Sequence, residues 1–419
     1  MFGIIVFFIL VAYLLKDYGK GICYVIILSP FLMPIFLWGQ YVPTFLGFII
    51  CMLSFFKLKK VRVKEKFPLT APFIVLAASY FLSNYFAAER HNGFMISAII
   101  NNLLLPVIFF YVYQVDKKRM QSVFLKACVV FGFIVGLYSC FETIIGDNPI
   151  MRMLMEHGWI NMEKLVDGFR YGVKRSQGIF TMHGTNGTVA VLLFTIIAYA
   201  MKTRYLKRTK SNYFLLFMLC LTVLFTGTRS VILAFFVCLF AFVDIKKFKI
   251  KYWIAILLFT ILTYLTFQQY FNDIFMSFSD TEHVEGSNTD MRETQFDLAI
   301  MFLLQSPILG HGLSYCANNV MGTYQEMYGA ESLWFPVMID TGMLGVIGHI
   351  MFFIGCSVFC MRGKNKKPIF FVLALLLLNT MSSIPGFVIT WMFPFLLLLV
   401  EMNRTLIPQH YYKYNFLST

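Results

Sequence analysis

Lys202-Thr-Arg-Tyr-Leu-Lys-Arg-Thr-Lys210 runs straight into Ser211-Asn-Tyr-Phe-Leu-Leu-Phe-Met-Leu-Cys-Leu-Thr-Val-Leu-Phe225. Thr226-Gly-Thr-Arg229 follows, and then a second apolar run, Ser230-Val-Ile-Leu-Ala-Phe-Phe-Val-Cys-Leu-Phe-Ala-Phe-Val243. A further basic loop, Lys246–Lys251, closes the unit. Two apolar runs joined by a tight turn and flanked by basic loops read as a helical hairpin across a bilayer.

The same alternation continues in both directions. We divide the chain into thirteen spans, at about 2–15, 21–38, 42–56, 67–86, 94–113, 121–145, 184–201, 212–227, 230–244, 252–271, 332–360, 368–384 and 386–402. Several are shorter than the ~20 residues that a hydrocarbon core requires, so the predicted bundle has about 12–14 transmembrane helices. Composition agrees: the 419 residues are 59% hydrophobic and 13% charged, with 48 Phe. The fold class expected is an all-α polytopic membrane bundle, a single integral membrane domain over 1–419. Phe2–Leu15 lacks a basic leader and a small-residue cleavage site, and is read as a retained helix. No internal repeat of 20–50 residues is visible.

The net charge of +14 invites a nucleic-acid reading, but the distribution argues against it. Sorted by span, one side of the membrane receives 27 of the 35 Lys and Arg and only 5 of the 21 Asp and Glu. That is the positive-inside pattern, which puts the basic loops against anionic lipid in the cytoplasm, the N-terminus outside and the C-terminus inside. Membrane lipids are the expected partners and nucleic acid is not. The nine Cys, mostly within spans, read as packing residues. The seven His show no metal-ligand spacing, so no metal and no cofactor is expected.

Two outer loops exceed a turn, at 146–183 and 272–331. The first carries Arg152, Arg170, Lys174 and Arg175. In the second, Asp290 and Glu293 read as a helix cap with its reciprocal partner, opening a helix from Met291 to about Gln305 that Ser306-Pro307 stops. Arg292 then lies in the first turn, where backbone N–H groups and the helix dipole favour a phosphate; a local pair with Glu293 or Asp297 is the alternative. Arg229, at the lip of its hairpin, either snorkels to headgroups or grips a lipid diphosphate through its planar fork. Glu331 is the general-base candidate. Asp340, nine residues on and ~13 Å deeper if helical, is the main deep charge; it would face away from Glu331 and make a structural contact beside Gly342, Gly345 and Gly348. His311, between two glycines, either packs the loop or touches substrate. Asn84 and Asn101-Asn102 read as interhelical hydrogen bonds.

The ordered series Arg175-Ser-Gln-Gly178, Thr226-Gly-Thr-Arg229-Ser, Arg292 ahead of Pro307-Ile-Leu-Gly310-His-Gly312, and Glu331-Ser332 ahead of Asp340-Thr-Gly342-Met-Leu-Gly345 resembles the O-antigen ligase/polymerase superfamily. Within it, the chain looks like the polysaccharide repeat-unit polymerases (Wzy type). The resemblance covers about 170–353 and implies a fold similar to integral-membrane C-type glycosyltransferases. It further implies metal-independent glycosyl transfer at the outer face of a bacterial cytoplasmic membrane, from undecaprenyl diphosphate to a sugar hydroxyl. Carried onto this chain, Arg229 and Arg292 would hold the donor diphosphate, Glu331 would serve the acceptor hydroxyl, and Arg175, with Arg170 and His311, would bind substrate. Superfamily ligases typically show His-Asn where Glu331-Ser332 stands here, which favours a polymerase. A ligase and a flippase or exporter of the same lipid-linked sugars are the alternatives, and a chain-length regulator is a conceivable partner; transport calls for charges along the bundle axis and repeated halves.

Overall fold

The computed structural model describes residues 2–32, 35–37, 40–58, 65–156, 169–170, 173–242, 268, 289–327, 330–363, 365–382 and 388–404. The expected span 252–271, the loop from 272 to 288 and the C-terminal tail fall outside the described residues. The other twelve expected spans are each matched by a helix. In chain order these are α1 Phe2–Lys16, α2 Tyr18–Leu32, α3 Val42–Leu58, α4 Thr70–Phe86, α5 Asn92–Val115, α6 Lys117–Ile145, a short α7 Pro149–Glu156, α8 His183–Lys202, α9 Lys210–Phe225 and α10 Arg229–Leu239. After them come α11 Thr289–Gln305, α12 Trp334–Met361, α13 Ile369–Met381 and α14 Val388–Arg404. The only strands among the described residues are two-residue antiparallel pairs, Phe36–Leu37 with Gln40–Tyr41 and Phe169–Arg170 with Val173–Lys174. The protein is an all-α polytopic membrane bundle.

Helix is the outcome that lipid imposes, because a chain with no water beside it must satisfy its own N–H and C=O groups. The centre of the bundle is α8 and α14. On α8, 78% of the most apolar window is buried, and on α14 every residue from Ile389 to Asn403 is buried, Trp391, Phe393 and Phe395 included. Large apolar side chains are instead exposed on the outer helices, with Phe55 of α3 at 70% and Phe86 of α4 at 66%. Such a surface is costly in water and suited to acyl chains. Polar side chains inside the spans find partners across helices, as expected. Asn84 donates to Asn92 Oδ1 (2.9 Å) and Asn101 to Thr44 Oγ1 (3.2 Å). A π-helical turn at Ile99–Leu104 widens α5, and Thr390 of α14 donates to the Asn101 carbonyl there (2.7 Å).

Ion pairs join several of the helix ends that carry basic residues. Lys117 bonds Glu65 (3.2 Å) and Glu401 (3.4 Å), Arg404 bonds Glu401 (2.8 Å), and Arg119 bonds Asp17 (2.5 Å). The starts of α2, α6 and the end of α14 therefore meet at one end of the bundle, the end of the basic loops. The large loops belong to the opposite end.

At that opposite end α12 is bent. Gly342 adopts φ 60°, ψ −160° in mid-helix, and the segment Pro307–Gly312 docks in the kink. His311 N–H bonds Ile339 O (2.9 Å), Gly312 N–H bonds Asp340 O (2.9 Å), and Met343 and Leu344 N–H bond Pro307 O (2.9 Å) and Ile308 O (3.1 Å). A methyl on Gly342 would stand 2.6 Å from Gly310 N and 2.7 Å from Ile308 O. Gly342→Ala therefore combines a left-handed backbone, costing about 1–3 kcal/mol by itself, with a clash against backbone that cannot retreat. Thermal unfolding in detergent should show a lower midpoint for Gly342→Ala and an unchanged one for Gly322→Ala, whose added methyl meets nothing within 4 Å.

Candidate active site

The outer loop is a built unit with its own apolar cluster. Ala299 and Phe302 of α11, Cys316, Val320, Met327 and Ala330 of the following turns, and Ile339 of α12 pack together. Burial, with the Asp340 carboxylate beside it, pushes the Cys316 thiol up, so it is a packing group and not a nucleophile. Asp340 makes the structural contact expected of it: its carboxylate accepts N–H bonds from Ser314 (2.9 Å) and Cys316 (2.7 Å). The expectation that it lies on one helix with Glu331, pointing away, is corrected. Glu331 precedes α12, which begins at Trp334, so helical spacing does not relate the two residues.

α11 opens at Thr289, one residue before Asp290, so Asp290 lies in the first turn and is not the residue capping it. Arg292 does not pair with Glu293 or Asp297, both exposed. It reaches Glu331, 39 residues on, donating from Nε (2.9 Å) and Nη2 (2.6 Å) to the same carboxylate oxygen, Oε2. The two side chains are 41% and 29% exposed. An ion pair that wet contributes about 0–1 kcal/mol to folding, so its significance is placement: a guanidinium and a carboxylate held together within reach of solvent. Three residues further along α11, on the same face, Gln295 is fully buried. Its Nε2 donates to Glu326 O (2.7 Å) and its Oε1 accepts the Glu331 N–H (3.1 Å). Arg292 thus holds the Glu331 side chain while Gln295 holds its backbone.

Arg175 belongs to a second cluster. Its Nε donates to Thr226 O (2.9 Å) and its Nη2 to Thr228 Oγ1 (3.1 Å), which fastens it to the turn from which Arg229 opens α10. Gly227 takes φ 57° to close that turn, and the start of α8 lies close against it, since a methyl on Gly187 would meet Val231 Cγ1 at 2.6 Å and Thr226 Oγ1 at 3.1 Å. Arg170 lies in the two-residue pair with Val173, ahead of Arg175. His311 packs the loop: its Nε2 is 2.9 Å from Phe302 O, and its ring stacks on Tyr315 with centroids 4.7 Å apart.

The two clusters share one end of the bundle. Leu333 N–H bonds Asn379 O (2.8 Å) and Trp334 Nε1 bonds Thr380 Oγ1 (3.1 Å), joining the Glu331 segment to the end of α13. α13 packs along α10, and a methyl on Gly184 at the start of α8 would lie 3.7 Å from Ser382 Oγ just past α13. Arg175, Arg229, Arg292 and Glu331 therefore stand on the same rim, away from the basic loops.

Residues 214–350 match the family model described as O-antigen ligase. Over that stretch, about a third of the chain, it is similar to the O-antigen ligase family. Its members are glycosyltransferase-like enzymes acting on lipid-linked oligosaccharides. The match takes in Arg229, Arg292, His311, Glu331 and Asp340, and leaves Arg170 and Arg175 outside it. No curated protein matches the chain.

Sequence reading missed two residues of this rim. Gln295 carries no signal, a glutamine in a polar first half of a helix being unremarked. Glu142 does carry one, as an acid near the outer end of the span 121–145. Glu142 is fully buried at the outer end of α6 and accepts bonds from the Arg175 loop. For Gln295, truncation leaves the Glu326 carbonyl and the Glu331 N–H without that partner, at a cost of about 1–3 kcal/mol. Gln295→Ala should lower glycan transfer about tenfold or more with the protein still present in the membrane, read as product per unit of immunoblotted protein.

Proposed function

We propose that the chain is a polymerase of lipid-linked oligosaccharide repeat units, for O-antigen, capsule or exopolysaccharide. The donor glycan sits on undecaprenyl diphosphate and the acceptor is a sugar hydroxyl of another lipid-linked repeat. The observation that carries the reading is the Arg292–Glu331 pair (2.6 Å) on the rim that also bears Arg229 and Arg175. Cations that match a diphosphate and a carboxylate that matches a hydroxyl proton stand at one end of the bundle. The basic loops face the cytoplasm by their charge, which puts the site on the outer side of a bacterial inner membrane.

The chemistry asks little of the protein beyond charge and placement. The acceptor oxygen bonds to the anomeric carbon while the bond from that carbon to the diphosphate oxygen breaks, its electron pair leaving with the diphosphate. The acceptor proton passes to the Glu331 carboxylate and from there to water. Arg229 and Arg292 neutralise the charge that develops on the leaving diphosphate, with N–H groups already in place. Arg175 binds the glycan or phosphate from the other loop. Without substrate, the Glu331 carboxylate is held by the guanidinium that would meet the leaving group.

The ligase reading is favoured by the description of the matching family model; Glu331-Ser332, in place of a ligase-like His-Asn, favours the polymerase. Deletion of the gene with analysis of the glycan separates the readings. Single repeats on carrier or core mark a polymerase, loss of all transfer to the acceptor lipid marks a ligase, and repeats retained inside mark a flippase. Arg292→Ala should leave only single repeats, and Arg292→Lys should not rescue, because an ammonium lacks the planar pair of donors. Glu331→Gln should slow polymerisation by about 10²–10⁴. Normal polymer from Arg292→Ala overturns the proposal.

A further inference from the structure

Glu142 is a buried carboxylate with both oxygens fully engaged. Its Oε1 accepts from Asn148 Nδ2 (3.0 Å) and Gln177 N–H (3.1 Å), and its Oε2 from Ser176 Oγ (2.9 Å) and Gly178 N–H (2.6 Å). All four are donors, which suits an acceptor-only ionised carboxylate. Asn148 is itself oriented, its Oδ1 accepting from Tyr138 Oη (2.7 Å) and Met151 N–H (3.1 Å) while its Nδ2 also donates to Gly178 O (2.8 Å). Gly178 turns at φ 61° to aim its N–H at the carboxylate. Three helices therefore pin residues 176–178: α6 through Glu142, α8 through Asn186 Nδ2 to Ser176 Oγ (3.1 Å), and α9 through Phe225 O accepting Ser176 N–H (2.9 Å).

The residue just before this pinned segment is Arg175, and its side chain grips Thr226 O and Thr228 Oγ1 beside Arg229. We propose that Glu142 is a positioning residue for a prenyl-diphosphate subsite, acting through Ser176–Gly178 to set where the Arg175 guanidinium and the Thr228-Arg229 turn stand. The inference rests on the reading of these arginines as diphosphate ligands. Desolvating an anion is expensive, and an apolar residue would serve α6 better if holding helices together were the whole task. What the carboxylate adds is a fixed place for two N–H groups and a hydroxyl of the loop that carries an arginine to the rim.

The test is equilibrium binding of undecaprenyl diphosphate to the full chain in nanodiscs. Glu142→Gln turns an amide NH₂ toward loop donors and should weaken binding about tenfold; Glu142→Asp should fall between it and wild type. Ser176→Ala, which removes one of the four donors, should weaken binding two- to threefold at most. In an Arg175→Ala background either substitution should add less than about twofold, because its route to the ligand is gone. Wild-type affinity in both Glu142→Gln and Ser176→Ala overturns the proposal, as does an undiminished loss in the Arg175→Ala background, which marks Glu142 as part of the fold alone. If Glu142→Gln does not accumulate, Ser176→Ala and its Arg175→Ala pair decide on the same criteria. A wild-type chain that ignores the probe sinks the diphosphate reading, and Glu142 with it. Binding lost in Arg175→Ala but kept in Glu142→Gln sinks Glu142 only.

Discussion

Irregular backbone within the depth of a membrane survives only where protein groups or a water-filled cavity satisfy it, and in this chain the bent α12 satisfies the backbone of the clasp. The kink at Gly342 exposes helix N–H and C=O groups that Pro307–Gly312 takes up, with four backbone bonds between 2.9 and 3.1 Å. Asp340 adds its carboxylate to the N–H groups of Ser314 and Cys316. α11 ends at Gln305, immediately before this clasp. The clasp fixes the far end of α11, while Gln295 on the same helix holds the Glu331 N–H, so both ends of α11 contribute to where Arg292 meets Glu331. Gly310 and Gly342 face each other across the clasp, both with φ above +60° or at it, and neither leaves room for a Cβ.

The rim combines two ways of holding an arginine. Arg292 is paired with a carboxylate that is itself held by Gln295, in a loop with its own small apolar cluster. Arg175 donates to a backbone carbonyl and a threonine hydroxyl, in a loop anchored by the buried Glu142. The first arrangement carries compensating charge at the surface, and the second leaves its acid out of reach of substrate. Arg292 therefore stands beside a group able to accept a proton, and Arg175 is fixed by the turn that carries Arg229. On the proposed reading Arg292 meets the leaving diphosphate and Glu331 the acceptor hydroxyl, so neighbouring groups of opposite charge serve the two ends of one transfer.

Much of this was legible in the chain before any coordinates. Span positions and sidedness follow from partition between water and lipid, which acts residue by residue, so apolar runs and lysine-rich loops such as 202–210 state them directly. Asp340 was legible as a structural group because an acid inside a span needs a partner. The same rule applied to Glu142 and was not carried through, since near the end of a long apolar run its burial could not be told from a surface position. The Arg292–Glu331 pair was out of reach for another reason. Its partners are 39 residues apart and meet through tertiary packing, whereas local spacing offered Glu293 and Asp297. Treating Glu331 and Asp340 as one helix failed because α12 starts only at Trp334, where Leu333 N–H finds the end of α13.

The pairing of Arg292 with Glu331 also bears on why an acid stands at that place at all. A lone guanidinium at the rim would attract lipid phosphates from the surrounding leaflet, and releasing one would precede every binding event. A carboxylate at 2.6 Å keeps the arginine's charge matched in the resting protein at small cost, since both groups remain partly hydrated. On the proposed reading, an incoming diphosphate, which carries more charge and more acceptor oxygens, displaces the carboxylate from the guanidinium. That exchange frees Glu331 for an acceptor hydroxyl only when a donor is bound. The order of events would then be written into one ion pair: leaving group first, proton acceptor second.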